Sequence, residues 1–182
     1  AFKAIGVTGK KLKIGVAAWL DTNVVMMEGI KNAFPEAEIV RADRIMTELR
    51  QVKSDNEIAC LRESARITQL ATEAVIAAIR PGMTEMDVKI ALNYEMLLLG
   101  SEGEAFDTIA CAGENSSLPH AVAGRHVLKS GELLTLDFGA TVDGYRSDMT
   151  RTVGIGHVGR ELRALYEAVL EAQLLALSAV RP

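Results

Sequence analysis

The chain has 182 residues, 49% hydrophobic and 24% charged, with a formal net charge of −4. That balance fits a soluble globular protein and excludes collagen-like repeats, wholesale disorder and a membrane protein, and scattered charges at a pI near 5.5 offer no basic footprint for nucleic acid. The length suits one good core, or one domain plus a piece of another. Histidine is scarce, with only His120, His126 and His157, so a site built from histidine alone would consume nearly all of them.

The opening AFKAIGVTGKK lacks an initiator Met and is broken by glycine and lysine, so it reads as the interior of a longer chain rather than a signal peptide. Residues 12–19 are a compact apolar run that predicts a strand. Asp21 is placed to cap a helix carrying Val24, Val25, Met27 and Ile30 up to Pro35. A second strand over 37–40 and a helical turn capped by Asp43 complete an α/β fragment too small to close a core alone. Ser54 and Glu57 form a capping box that opens a long helix, with a stripe of Ile58, Leu61, Ala65, Ile67, Leu70, Ala74 and Val75. Pro81-Gly82 stops that helix, and Thr84 caps another that runs to Gly100. The domain boundary is therefore expected near Lys53, dividing the chain into 1–52 and 53–182.

Beyond Gly100 the pattern changes to strands and loops: a strand over Phe106–Cys111, a polar loop from Gly113 to His120, and a hairpin of Leu133–Thr141 with Tyr145–Val153 about Asp143-Gly144. A last helix spans about Gly159 to Val180, with apolar Leu162, Leu165, Val169 and Leu177 in need of cover. Ile79-Arg80-Pro81 is echoed 101 residues later by Val180-Arg181-Pro182, a short match that hints at a duplicated unit. Cys60 and Cys111 lie far apart among apolar neighbours. They read as buried reduced thiols, consistent with a cytoplasmic protein, and no apolar run reaches the roughly 18 residues of a membrane span.

The chemistry concentrates in the hairpin. Leu133–Gly139 places Asp137 inside an apolar strand, where an unpaired carboxylate is costly to bury. A two-residue loop sets Val142 against Tyr145 and hence Asp137 against Thr150, with Asp148 diagonal to Asp137 at a Cα separation of roughly 7–8 Å. Two carboxylates crowded on one face repel, and a hard divalent cation offsets that repulsion; alternatively both face solvent or pair with Arg146 or Arg151. His120, after Pro119 in the polar loop, could polarise a carbonyl, donate a proton or bind metal, or could make an ordinary loop hydrogen bond.

At these residues the sequence resembles the M24 metallopeptidase family with the pita-bread fold, in its Xaa-Pro dipeptidase and aminopeptidase P branch. The matching segments are Leu49–Ser54 with Glu57-Ile58, Ile79–Glu85, Gly113–Ser116 with Pro119-His120-Ala121, Leu136–Gly139 and Gly144–Thr152. The resemblance implies an α+β fold: the first half of a pita-bread catalytic domain, preceded by the α/β tail of a creatinase-type N-terminal domain. It implies that Asp137 and Asp148 are two of five ligands to two divalent metal ions, manganese first, cobalt or zinc otherwise. It further implies that His120 binds substrate and stabilises the transition state, that Thr150 supports Asp137, and that a metal-bridging hydroxide attacks the carbonyl before proline. The family's remaining His and two Glu find no counterpart, so the isolated chain is expected to be inactive. A small peptide substrate and a homodimer, with no nucleic acid or membrane partner, complete the expectation. The alternatives are a relative acting on another small amide or an N-terminal Met, and a catalytically dead peptide-binding module.

Overall fold

The computed structural model describes residues 12–181; the opening segment 1–11, and Pro182 of the helix-end echo, lie outside them. Two compact units divide the chain at Ser54 and Asp55. In the first, β1 (Lys13–Val16) and β2 (Glu38–Arg41) pair in parallel, Ile14 against Ile39, with α1 (Val24–Ala33) as the crossover that parallel pairing requires. Asn23, not Asp21, caps α1, its side chain accepting the Met26 amide at 2.8 Å. Asn23 stands directly before α1, whereas Asp21 lies two residues further back in the preceding turn, its amide donating to the Ala18 carbonyl. The turn expected at Asp43 is the nine-residue helix α2 (Asp43–Gln51). Asp43 sits inside its first turn and does not cap it. Its carboxylate accepts Arg41 Nε at 2.6 Å and the Trp19 amide at 3.0 Å, and these two donors hold its carboxyl below the ordinary range.

The second unit opens with α3 (Asp55–Ala78) and α4 (Glu85–Leu98). There follow β3 (Ile109–Ala112), β4 (Leu133–Phe138), the short strands β5 (Thr141–Val142) and β6 (Tyr145–Arg146), β7 (Met149–Gly154), and α5 (Arg160–Ala179). Strands β3, β4 and β7 form one antiparallel sheet with β4 central. Its inner face, Ala110, Ala112, Leu134, Leu136 and Phe138, is fully buried with Ile67, Ala71 and Val75 of α3 and Val88, Leu92 and Met96 of α4. Side chains alternate along a strand, so Asp137, between Leu136 and Phe138, is turned to the opposite face. The buried face of α3 differs from the expected apolar stripe: Ile58, Leu70 and Ala74 are exposed, whereas Ser64, Thr68 and Thr72 are buried. The reason is polar. Ser64 Oγ donates to the Ala140 carbonyl at 2.7 Å, and Thr68 Oγ1 accepts the Ala140 amide at 3.1 Å. A hydroxyl ladder therefore docks the hairpin where an apolar face could not satisfy its backbone.

That docking also breaks the long hairpin strands. Around Gly139-Ala140 and Ser147-Asp148 the ladder is interrupted, because the Ala140 amide turns to Thr68 and to Ser147 Oγ. The register survives: Asp137 faces Thr150 and Val142 faces Tyr145. Asp143 (φ 48°) and Gly144 (φ 76°) make the tight two-residue turn, and both amides donate to the Glu102 carboxylate, at 2.9 and 3.2 Å. α5 is exposed along its whole length. Among the described residues, no helix is long and apolar enough to cross a membrane.

Candidate functional site

On the outer face of the sheet, Asp137 lies between Ile109 of β3 and Thr150 of β7. The Thr150 hydroxyl donates to Asp137 Oδ1 at 3.0 Å, leaving Oδ2 for another partner. A cleft of about 300 Å³ opens here, floored by Ile109, Cys111, Thr135, Asp137 and Thr150 and walled by Ser116, Ser117, Leu118 and Pro119. One carboxylate and several hydroxyls thus line an otherwise apolar hollow, the composition of a small-molecule site. Cys111 is inert in this setting: burial first, and the charge of Glu85 second, push its thiol up. It and Cys60 are both free thiols.

The wall is a shaped loop. Ser116 Oγ and Ser117 Oγ each donate back to a carbonyl three residues earlier, at 2.7 Å, closing a 3₁₀ turn over Gly113–Ser117. Gly113 takes φ +57° there and faces the Glu132 side chain, so a Cβ would be both strained and crowded. The loop is tied down by Glu85, a residue of the Ile79–Glu85 motif with no role evident from that motif alone. Fully buried at the start of α4, its Oε1 accepts the Ala112 amide at 2.8 Å and Asn115 Nδ2 at 3.2 Å, and its Oε2 accepts the Gly124 amide at 2.9 Å. The available signal was redundancy: the helix start is already satisfied by a Thr84–Asp87 capping box, so a neighbouring acidic residue is spare.

The predicted residues fall at different distances from the cleft. Asp137 and Thr150 line it. His120 is exposed, one residue beyond Pro119, and is not itself part of the lining; Asp148 is exposed opposite Gly139, just before β7. Among the described residues neither aspartate forms an ion pair with Arg146 or Arg151; Arg151 turns instead to the Thr150 carbonyl. His126 has a partner, with Nε2 lying 3.1 Å from both Glu132 oxygens. Among the described residues no three His, Cys, Asp or Glu stand together as a metal-binding group.

Comparison with known proteins adds the family. The model of metallopeptidase family M24 matches residues 59–182. The chain is 39% identical to an uncharacterised peptidase, YqhT, of Bacillus subtilis, over 81% of this chain and 42% of the relative. It is 36% identical to an Xaa-Pro dipeptidase of Pyrococcus furiosus, over 86% of this chain and 45% of the relative. In three dimensions it is similar to an Xaa-Pro dipeptidase from Bacillus anthracis, with a TM-score of 0.85 and 36% identity over 95% of this chain and 47% of that one. The architecture is therefore the α+β pita-bread fold in part, and the chain spans less than half the length of these relatives.

Proposed function

The chain belongs to metallopeptidase family M24, and on that premise we propose that its cleft is part of the active site of a metal-dependent exopeptidase hydrolysing Xaa-Pro bonds in small peptides. The observation that carries the reading is Asp137: a carboxylate on a central strand, oriented by Thr150, facing a hollow whose far wall leads to His120. Relatives at 35–36% identity bear the name Xaa-Pro dipeptidase, which supports the substrate class.

The donor set suits a divalent cation. Carboxylate oxygens are hard ligands, of the kind that manganese accepts readily, with cobalt and zinc as alternatives. Asp137 and Asp148 would hold the metal, Thr150 fixing the orientation of Asp137 so that one oxygen is left to coordinate. Two carboxylates do not fill a coordination shell, and water or donors from elsewhere would complete it. When bound, divalent ions supply Lewis acidity to a scissile carbonyl and lower the pKa of water. The chain's own share is positional: the cleft takes the peptide between Leu118-Pro119 and the sheet, and His120 at its mouth hydrogen-bonds the substrate as charge develops. The reduced, free thiols agree with a cytoplasmic setting.

The test is a substrate panel on the full-length protein with manganese, comparing Xaa-Pro dipeptides, Met-Xaa peptides and small amides. Selective cleavage of Xaa-Pro, abolished by chelation and by Asp137→Asn or Asp148→Asn, is expected. Preference for Met-Xaa or simple amides would move the assignment within the family; bound peptide without bound metal or turnover would make the protein a binding module. The 182-residue chain alone, with two carboxylates, is expected to show no manganese-dependent cleavage.

A further inference from the structure

Resting on the reading of His120 as a substrate-facing group, we propose that Glu85 is a positioning residue that sets the His120 loop by closing it at both ends. Ala112, the last residue of β3, and Gly124 are twelve residues apart in sequence, and the amides of both donate to the one Glu85 carboxylate. Between them lie the 3₁₀ turn, the Leu118-Pro119 wall and His120. Asn115 Nδ2 adds a third bond from within the turn. The base of the clamp is itself anchored, because the Glu85 and Met86 amides donate to the His126 and Gly124 carbonyls at 3.0 and 3.1 Å.

A fully buried carboxylate is an expensive way to fill a core position. Here all three partners are N–H donors and both oxygens are used as acceptors, with charge-assisted bonds that are stronger than neutral ones. Among the described residues no cation pairs with the group, and helix capping does not need it, since Thr84 and Asp87 already perform that task. What the carboxylate does that no apolar or amide side chain could is hold two amides converging from opposite ends of one loop. A glutamine of the same shape turns an NH₂ toward one of them, so that amide loses its acceptor and its end of the loop is held by fewer bonds. His120 sits well inside the loop, where slack at either end displaces it, and displacements near 1 Å cost on the order of 100-fold in rate.

The experiment compares wild type, Glu85→Gln, His120→Ala and the double variant in the full-length protein. Kinetics on an Xaa-Pro dipeptide are read beside manganese content and hydrogen exchange. For Glu85→Gln, unchanged metal content is expected, with kcat lowered roughly 10- to 100-fold, KM changed far less, and faster exchange confined to residues 113–123. The double variant should be no slower than His120→Ala alone, because the clamp acts through that histidine. Wild-type kcat in Glu85→Gln, or losses that multiply in the double variant, would overturn the proposal. If wild type cleaves no Xaa-Pro substrate, it is the functional reading that fails; exchange over 113–123 then decides the clamp alone, and wild-type rates in Glu85→Gln reject it. Should Glu85→Gln not fold, Asn115→Ala replaces it: a several-fold loss of kcat and faster exchange over 113–117 are expected, and wild-type values for both overturn the proposal.

Discussion

Gly139→Ala is the smallest change that should unseat the hairpin bearing both aspartates. A Cβ at Gly139 would lie 1.9 Å from the Ser147 carbonyl oxygen, 2.7 Å from its carbon and 3.1 Å from Ala105 Cβ. The nearest obstacles are backbone, so no flexible side chain can swing away and the strands must part. Overpacking of this kind costs about 1–3 kcal/mol. Parting also strains the bonds that the Ala140 amide makes to Thr68 and Ser147 and that Ser64 Oγ makes to the Ala140 carbonyl, at about 1 kcal/mol each for those lost. The expected destabilisation is therefore about 3–5 kcal/mol, a fall in the melting midpoint on the order of 10–20 °C for a domain of this size. The folded fraction should bind metal more weakly too, since Asp148 stands directly across from Gly139. Gly29→Ala is the control: Gly29 lies inside α1 with nothing within 4 Å of its would-be Cβ, and the change should stabilise by about 0.5–1 kcal/mol. Trp19, the sole tryptophan, follows that unit by fluorescence, while circular dichroism is dominated by the longer helices α3, α4 and α5 of the other. A Gly139→Ala protein within about 0.5 kcal/mol of wild type would refute the close-approach argument.

Thr150→Val removes the hydroxyl that orients Asp137; manganese affinity by calorimetry should fall about 10- to 100-fold, and an unchanged value would remove Thr150 from the site. Glu132 titrates below its ordinary 4.5 even though burial opposes this, because the Lys129 amide and His126 favour its charged form. A depressed folded-state pKa contributes stability that is present above the unfolded value and lost as pH falls through the folded one. Acid unfolding of Glu132→Gln should therefore lack part of the decline seen in wild type below about 4.5; superimposable acid limbs would exclude the contribution. Both thiols are pushed up, and they differ in burial: Cys60 is only half-buried, against the expectation of two buried thiols, so native-state alkylation at pH 8 should label Cys60 and spare the fully buried Cys111. The 182-residue chain by itself should associate or aggregate through the exposed leucines of α5, and a monodisperse monomer with a cooperative melt would contradict that.

The parts of the site legible in the sequence are those fixed by local rules. Asp143-Gly144 dictates a two-residue turn, the turn dictates strand parity, and parity puts Thr150 against Asp137, as the structure has it. Helix starts at Thr84 and Gly159 follow the same local logic. Where local rules compete, the outcome depends on tertiary partners that sequence does not display. Asp21 and Asn23 are both good caps, and the start of α1 at Val24 selects the second. Ser64, Thr68 and Thr72 read as the polar side of α3, yet they are buried beside Ile67, Ala71 and Val75, because the interrupted hairpin offers backbone groups that hydroxyls can satisfy and methyl groups cannot. Glu85 is the same case at the site itself. By local rules it is one of two acidic residues in a helix's first turn, favourable there for the helix dipole and otherwise unremarkable. Its meaning comes from two amides 27 and 39 residues away. A carboxylate buried against donors alone holds geometry rather than charge balance, so the residue that shapes the His120 loop shows in the sequence only as an acidic residue that the Thr84–Asp87 cap leaves spare.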